Sequence, residues 1–207
     1  MSTLTLLGTT LLGAAMVMGA GGAPGGGGPV AGAAAPALDV ARVNAMDRAA
    51  FVAAFGGVFE NAPWVAEGAF PALPVASPAA LHAAMMAVVR AAPADARRRL
   101  LNAHPELAGA DARAKRMTDH SVAEQGSVGL DALTEDDFAR FDRLNAAYRE
   151  KFGFPFIIAV RGRSKAEIVA AFEHRLANPP AAETEAALEQ VGLIARLRLE
   201  RMLGPFG

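Results

Sequence analysis

The chain has four histidines and no cysteine. Thiolate nucleophiles, disulfides and thiolate metal sites are therefore excluded, and proton transfer near neutral pH falls to histidine. His104 is the one in a distinctive setting, Asn102-Ala-His-Pro-Glu-Leu-Ala-Gly109. Pro105 disfavours helical geometry at the residue before it, so His104 belongs at a helix end, and Gly109 permits a tight turn. A histidine fixed there can act as acid or base. The competing reading is a histidine that only caps the helix with its ring. His82, within a helical stretch, and His174, in Phe172-Glu-His-Arg175, read as ordinary surface or groove residues.

A second cluster is Ser121-Val-Ala-Glu-Gln125. Ser121-x-x-Glu124 has the spacing of a capping box, which would be purely structural. Alternatively the helix start faces a pocket, offering Ser121, Glu124, Gln125 and backbone N–H groups to an anionic ligand. A third feature is Ile194-Ala-Arg-Leu-Arg-Leu199. Arg196 and Arg198 point about 200° apart on a helix, so only one can face a groove. A guanidinium in a groove is costly unless it meets a carboxylate, which a substrate can supply. Otherwise both are solvated cations near a helix C-terminus.

Two rival classes use the same residues. His120 and Glu124 are four apart and, with His104 and Glu106, have the donor types of a nitrogen/oxygen metal site in a hydrolase. Against this, His120 falls at or before the helix cap, where the four-residue geometry fails. The other rival is a helical scaffold without catalysis.

The elements that must position these residues are helical. Asp47 caps a helix carrying Phe51, Val52 and Phe55, stopped by Gly56-Gly57; Pro63-Trp64 turns into another short helix. Ser77-Pro78 opens a helix to about Ala91, and Pro93 opens the next, down to His104. Thr118 or Ser121 starts a helix that ends at Gly126 or Gly129. Thr134 caps a long one with Phe138, Phe141, Leu144, Ala147 and Tyr148 at helical spacing, closed by Gly153. Phe154–Val160 is the single β-like run, either a strand or a buried extended loop. Ser164-x-x-Glu167 is a capping box for a helix to about Leu176. Pro179-Pro180 breaks the chain, and a last helix runs from near Glu183 to Leu203. The expected fold is all-α, a single-domain antiparallel helical bundle.

The 207 residues carry a formal net charge of −1, so no global field draws the chain to nucleic acid or an anionic membrane. Residues 1–36 are set apart as a low-complexity Ala/Gly-rich extension, expected to be disordered, with residues 37–207 as the domain. Leu4–Ala20 is apolar but interrupted by Gly8 and Gly13, so stable membrane insertion is not expected. No Lys or Arg precedes Arg42, so a signal peptide would lack its basic region. The cytoplasm is the expected location, with export the alternative if residues 1–36 act as a signal.

Taken in order, His104-Pro-Glu-Leu-Ala-Gly109, Ser121-x-x-Glu-Gln125, Gly129-Leu130, Leu144-Asn-x-x-Tyr148, Phe152-Gly-Phe-Pro-Phe156 and Ile194-Ala-Arg-Leu-Arg-Leu199 resemble the OHCU decarboxylase family of urate breakdown, where OHCU is 2-oxo-4-hydroxy-4-carboxy-5-ureidoimidazoline. The likeness covers roughly Val43 to Met202 and includes Phe59-Glu-Asn-Ala-Pro-Trp64; the Ala/Gly-rich N-terminus departs from it. The resemblance implies an all-helical homodimer that takes OHCU to (S)-allantoin and CO2 with no metal or other cofactor. The substrate then supplies its own electron sink, which a ring carbonyl would provide. His104 would be the catalytic acid/base, with Glu124 bonding the substrate's hydroxyl or ureido groups. Pro105, Ser121, Gln125, the backbone of Phe156, Ile157, Ile158, Ala159 and Val160, and Arg198 would bind substrate, with Arg161 a second-choice anion contact.

Overall fold

The computed structural model describes residues 38–109, 117–126 and 133–206. The N-terminal extension and Gly129-Leu130 lie outside the described residues. Among the described residues there are nine α-helices, one 3-10 turn and no strand. The helices are α1 (Val40–Asn44), α2 (Arg48–Phe55), α3 (Pro63–Ala69), α4 (Pro78–Ala91), α5 (Ala94–Asn102), α6 (Asp119–Gly126), α7 (Glu135–Phe152), α8 (Lys165–Leu176) and α9 (Pro180–Leu203). The all-α expectation holds.

The helix ends follow local chemistry. Asp47 and Ser77 accept the backbone N–H three residues on, at 2.8 and 3.1 Å. Thr134 with Asp137, and Ser164 with Glu167, close reciprocal capping boxes. Gly153 ends α7 in the left-handed region at φ 74°, where a side chain would be strained. One expectation shifts and one open alternative is resolved. The last helix begins at Pro180 rather than near Glu183, because a proline at the first helical position gives up no intrahelical bond. The Phe154–Val160 run has no ladder partner and is a buried loop.

The core runs on both sides of α9, which packs against α4, α5 and α7. On one side Phe156 stacks on Phe172 at 3.9 Å, and Tyr148 meets both rings edge-on. Dense aromatic packing there anchors the end of α7 and the loop that follows it. On the other side α4 lies close against Gly192 of α9, where an added Cβ would sit 3.1 Å from Met86 Cε.

His82 pins that crossing, a tighter setting than a surface or groove residue would have. Its Nε2–H donates to the Gly192 carbonyl at 2.8 Å, and its ring faces Phe206. Burial lowers its pKa from the usual 6.5, outweighing the carbonyl contact. The folded state thus favours the neutral ring, so this contribution is full above pH 6.5 and shrinks as pH falls toward the lowered folded value. His82→Ala should cost about 1–2 kcal/mol in denaturant unfolding at pH 7.5, with turnover unchanged.

Candidate active site

One cavity of about 300 Å³ collects most of the residues singled out above. Its lining includes His104, Pro105, Ser121, Glu124, Gln125 and the whole run Phe156–Val160. Arg161, Arg201, Ile194 and Leu197 complete it together with Leu107 and Ala123. His104 and Pro105 also border a second, more polar cleft shared with Glu60, Asn61, Thr118 and Arg149.

His104 stands just beyond the end of α5, as Pro105 requires, and is 7% exposed. Its Nδ1 lies 3.0 Å from the Leu100 carbonyl. A carbonyl only accepts, so Nδ1 carries the proton and Nε2 of the neutral ring is an acceptor. Burial lowers the His104 pKa below 6.5, and the Leu100 carbonyl and the Glu60 charge offset this only in part. The ring is therefore neutral at pH 7 and ready to take a proton.

The loop after His104 is held from α6 and α7. Ala108 sits at φ 51°, in the left-handed region that a Cβ disfavours, and its N–H donates to Gln125 Oε1 at 3.0 Å. Gln125 Nε2 donates to the Glu106 carbonyl and Asn145 Nδ2 to that of Leu107. Gln125 thus lines the cavity with its amide already engaged by the loop.

Helix α6 is capped by Thr118, whose hydroxyl accepts from the Ser121 N–H, so Ser121-x-x-Glu124 is not the capping box. Ser121 and Glu124 lie inside the helix on its inward side. Ser121 Oγ donates to Glu60 Oε2 at 3.1 Å. Glu124 receives Arg198 in a two-pronged contact, Nε to Oε1 and Nη2 to Oε2, both 2.9 Å. Arg201 adds a third bond at 3.0 Å. Burial pushes the Glu124 pKa up, but these guanidiniums overcome it and hold the carboxyl below its usual value. Glu124 is half-buried and ionised.

The choice of face at Ile194–Leu199 is as the spacing predicts. Arg198 is 2% exposed, while Arg196 is exposed, paired with Glu200 and stacked over Phe206. Arg198 is held by protein groups on every side. Besides Glu124 its guanidinium meets Glu60 at 2.9 Å and the carbonyls of Gly57 and Val58. Its five N–H donors are all engaged by protein, and it is not among the cavity's lining residues. The guanidiniums that do line the cavity are Arg161 and Arg201.

Glu60 was passed over in the sequence. It is 2% exposed and accepts from Thr118, Ser121 and Arg198. It lies between α2 and α3, where no periodicity flags it; the available signal is an acidic residue following Val58-Phe59. The metal-site donors do not converge. His120 is exposed, the Glu106 carboxylate is taken by Arg149 at 2.8 Å, and among the described residues no group of three His, Asp or Glu could hold a metal.

Residues 44–200 match the family model described as OHCU decarboxylase. The chain belongs to the OHCU decarboxylase family. It is 42% identical over 162 residues to the 2-oxo-4-hydroxy-4-carboxy-5-ureidoimidazoline decarboxylase of Haloferax volcanii, covering 78% of this chain and 94% of that one. The Amia calva protein of the same name is 37% identical over 166 residues, 80% and 95% of the two chains. A crystal structure of (S)-allantoin synthase superposes with a TM-score of 0.65 at 32% identity, over 80% of this chain and 54% of that one. The chain thus spans about half of that structure.

The geometry points to where the site can be perturbed. Arg198→Lys keeps the charge but loses the fork that grips both Glu124 oxygens. It should lower kcat/KM by the equivalent of about 2–4 kcal/mol, whereas Arg196→Lys should leave steady-state kinetics unchanged.

Proposed function

We propose that this chain decarboxylates OHCU to (S)-allantoin and CO2 without a cofactor. The observation that carries this reading is a pair of groups lining one cavity: a buried, neutral His104 whose Nε2 has no hydrogen-bond partner among the described residues, and a half-buried, ionised Glu124.

The substrate's structure follows from its name. Ring carbon 4 carries both hydroxyl and carboxylate and is saturated, and carbon 2 is an oxo carbon. The imidazoline double bond therefore joins carbon 5 to its ring nitrogen. This C=N, rather than a ring carbonyl, is the electron sink. As the bond from carbon 4 to the carboxylate breaks, its pair forms the C4=C5 bond and the C=N pair moves onto nitrogen. Proton loss from the hydroxyl and proton gain at carbon 5 leave the carbonyl and the new stereocentre, while the ring nitrogen takes a proton from solvent.

Each step has a residue suited to it. His104 Nε2 takes the hydroxyl proton and returns a proton to carbon 5. Glu124 accepts from substrate N–H or O–H groups, and Arg198 acts through Glu124 by keeping it charged and aimed. Arg161 and Arg201 supply positive charge for the carboxylate. The apolar walls Phe156, Ile158 and Ile194 keep water from the carbanion.

The same reading includes a homodimer in the cytoplasm. The dimer rests on the family resemblance and should appear as twice the chain mass in light scattering. The location is checked by cell fractionation and by the N-terminal sequence of the cellular protein.

The test is an assay that makes fresh OHCU from urate and follows product chirality. His104→Ala should reduce turnover about 10²–10⁴-fold with the fold retained. Its product should approach the racemate, because no positioned acid selects the face. In wild type, kcat/KM should be level above pH 6.5 and fall only below it, since burial lowers the pKa of the group that must be neutral. Near-normal rate and enantioselectivity in His104→Ala would overturn the assignment.

A further inference from the structure

The cavity wall Phe156–Val160 has neither helix nor ladder to hold its shape. Three side chains that are not among the cavity's lining residues do so. Arg175 Nη1 donates to the Ile157 carbonyl at 2.7 Å, Gln190 Oε1 accepts the Ala159 N–H at 3.0 Å, and Arg163 Nε donates to the Ala159 carbonyl at 3.1 Å. Arg175 is fixed in turn by Glu183, which is fully buried and also bonded by Tyr148 and Asn178.

A trans peptide sets its C=O and N–H in opposite directions, and the cis bond found in the chain is elsewhere, at Leu73-Pro74. The Ile157 carbonyl faces Arg175, so the Ile158 N–H points away from Arg175. By the same rule the Ile158 carbonyl points away from Gln190, and the Val160 N–H points away from Arg163. These three groups have no hydrogen-bond partner among the described residues, although Ile158 and Val160 are 5% exposed and line the cavity. Buried backbone groups are rarely left unpaired, so a ligand is their natural partner.

We propose that Gln190 is a positioning residue. By taking the Ala159 N–H it turns the Ile158 carbonyl, between two flanking N–H groups, into the cavity as a donor–acceptor–donor edge. The complement of that edge is O=C–NH–C=O, one side of a cyclic ureide. The inference rests on the decarboxylase reading and deepens it. In the substrate, carbon 4 carries a hydroxyl; the second carbonyl of this pattern develops only as CO2 leaves. The edge therefore bonds best after the chemistry has begun, and this favours the transition state over the ground state.

Gln190 is half-buried, so it can be exchanged without opening the core. Gln190→Met keeps the bulk and removes the acceptor, whereas Gln190→Glu retains one. The probe is hydantoin, which presents the O=C–NH–C=O edge, against its N3-methyl derivative, with binding measured by calorimetry. Wild type and Gln190→Glu should prefer hydantoin by about tenfold, the effect of one well-placed hydrogen bond, and Gln190→Met should lose the preference at an unchanged melting temperature. With OHCU, Gln190→Met should raise KM, lower kcat and reduce enantiomeric excess, with Gln190→Glu restoring all three. Equal binding of the two hydantoins by wild type, or an unaltered preference in Gln190→Met, overturns the proposal. Inactivity of wild type on OHCU with the hydantoin preference intact sinks the decarboxylase reading alone.

Discussion

A guanidinium in the middle of a helical bundle must be neutralised or the bundle does not form. Taking an ion out of water costs several kcal/mol even after relaxation. Arg198 meets this with two carboxylates and two carbonyls, engaging every donor it has. The partners come from α6 and from the chain between α2 and α3, so one buried charge ties three distant parts of the sequence together. Arg201 brings a second cation to Glu124, leaving two carboxylates against two guanidiniums. One side of the cavity, with His104, Ser121 and Glu124, is arranged around this balanced cluster.

Around the cluster the site is held by groups that do not react. Gln125 and Asn145 hold the loop after His104, the Leu100 carbonyl sets the ring's tautomer, and Thr118 frees Ser121 and Glu124 from capping duty. The opposite wall is a loop rather than a strand, and side chains from α8, α9 and the turn at Arg163 take the place of a neighbouring strand. Such a wall has a benefit for recognition. A strand in a sheet would spend its N–H and C=O groups on its neighbours, whereas this one leaves part of its backbone free.

Much of this was legible in the sequence because the signals are local. Caps at Asp47, Ser77, Thr134 and Ser164 announce helix starts through short-range hydrogen bonds, and Gly153 announces an end through its backbone freedom. His104 could be placed at a helix end because Pro105 constrains it sterically. What was not legible depends on contacts between segments far apart in the chain. Glu60 meets Arg198 across 138 positions of sequence, and no spacing rule reaches that far. The carboxylate partners of Arg198 were hidden for the same reason: Glu60 and Glu124 reach it from distant segments. The Arg175–Glu183 pair was hidden because Glu183, an acidic residue in the first turn of a helix, is usually a solvated one.

Burial opposes charge on both His104 and Glu124, yet the two end in different states, and the difference explains their division of labour. Glu124 keeps its charge because Arg198 and Arg201 are bonded to it. His104 has the Glu60 and Glu124 charges nearby, but both carboxylates are already committed to Arg198, whose own charge opposes an imidazolium. A histidine so placed can accept a proton but is poorly stabilised while holding it. That is the property wanted in a group that removes a proton from one atom and must quickly deliver one to its neighbour. Weakening the Arg198 cluster would release Glu60 to stabilise the imidazolium, raise the His104 pKa, and slow the return of the proton. The cluster thus governs the histidine by withholding a partner from it.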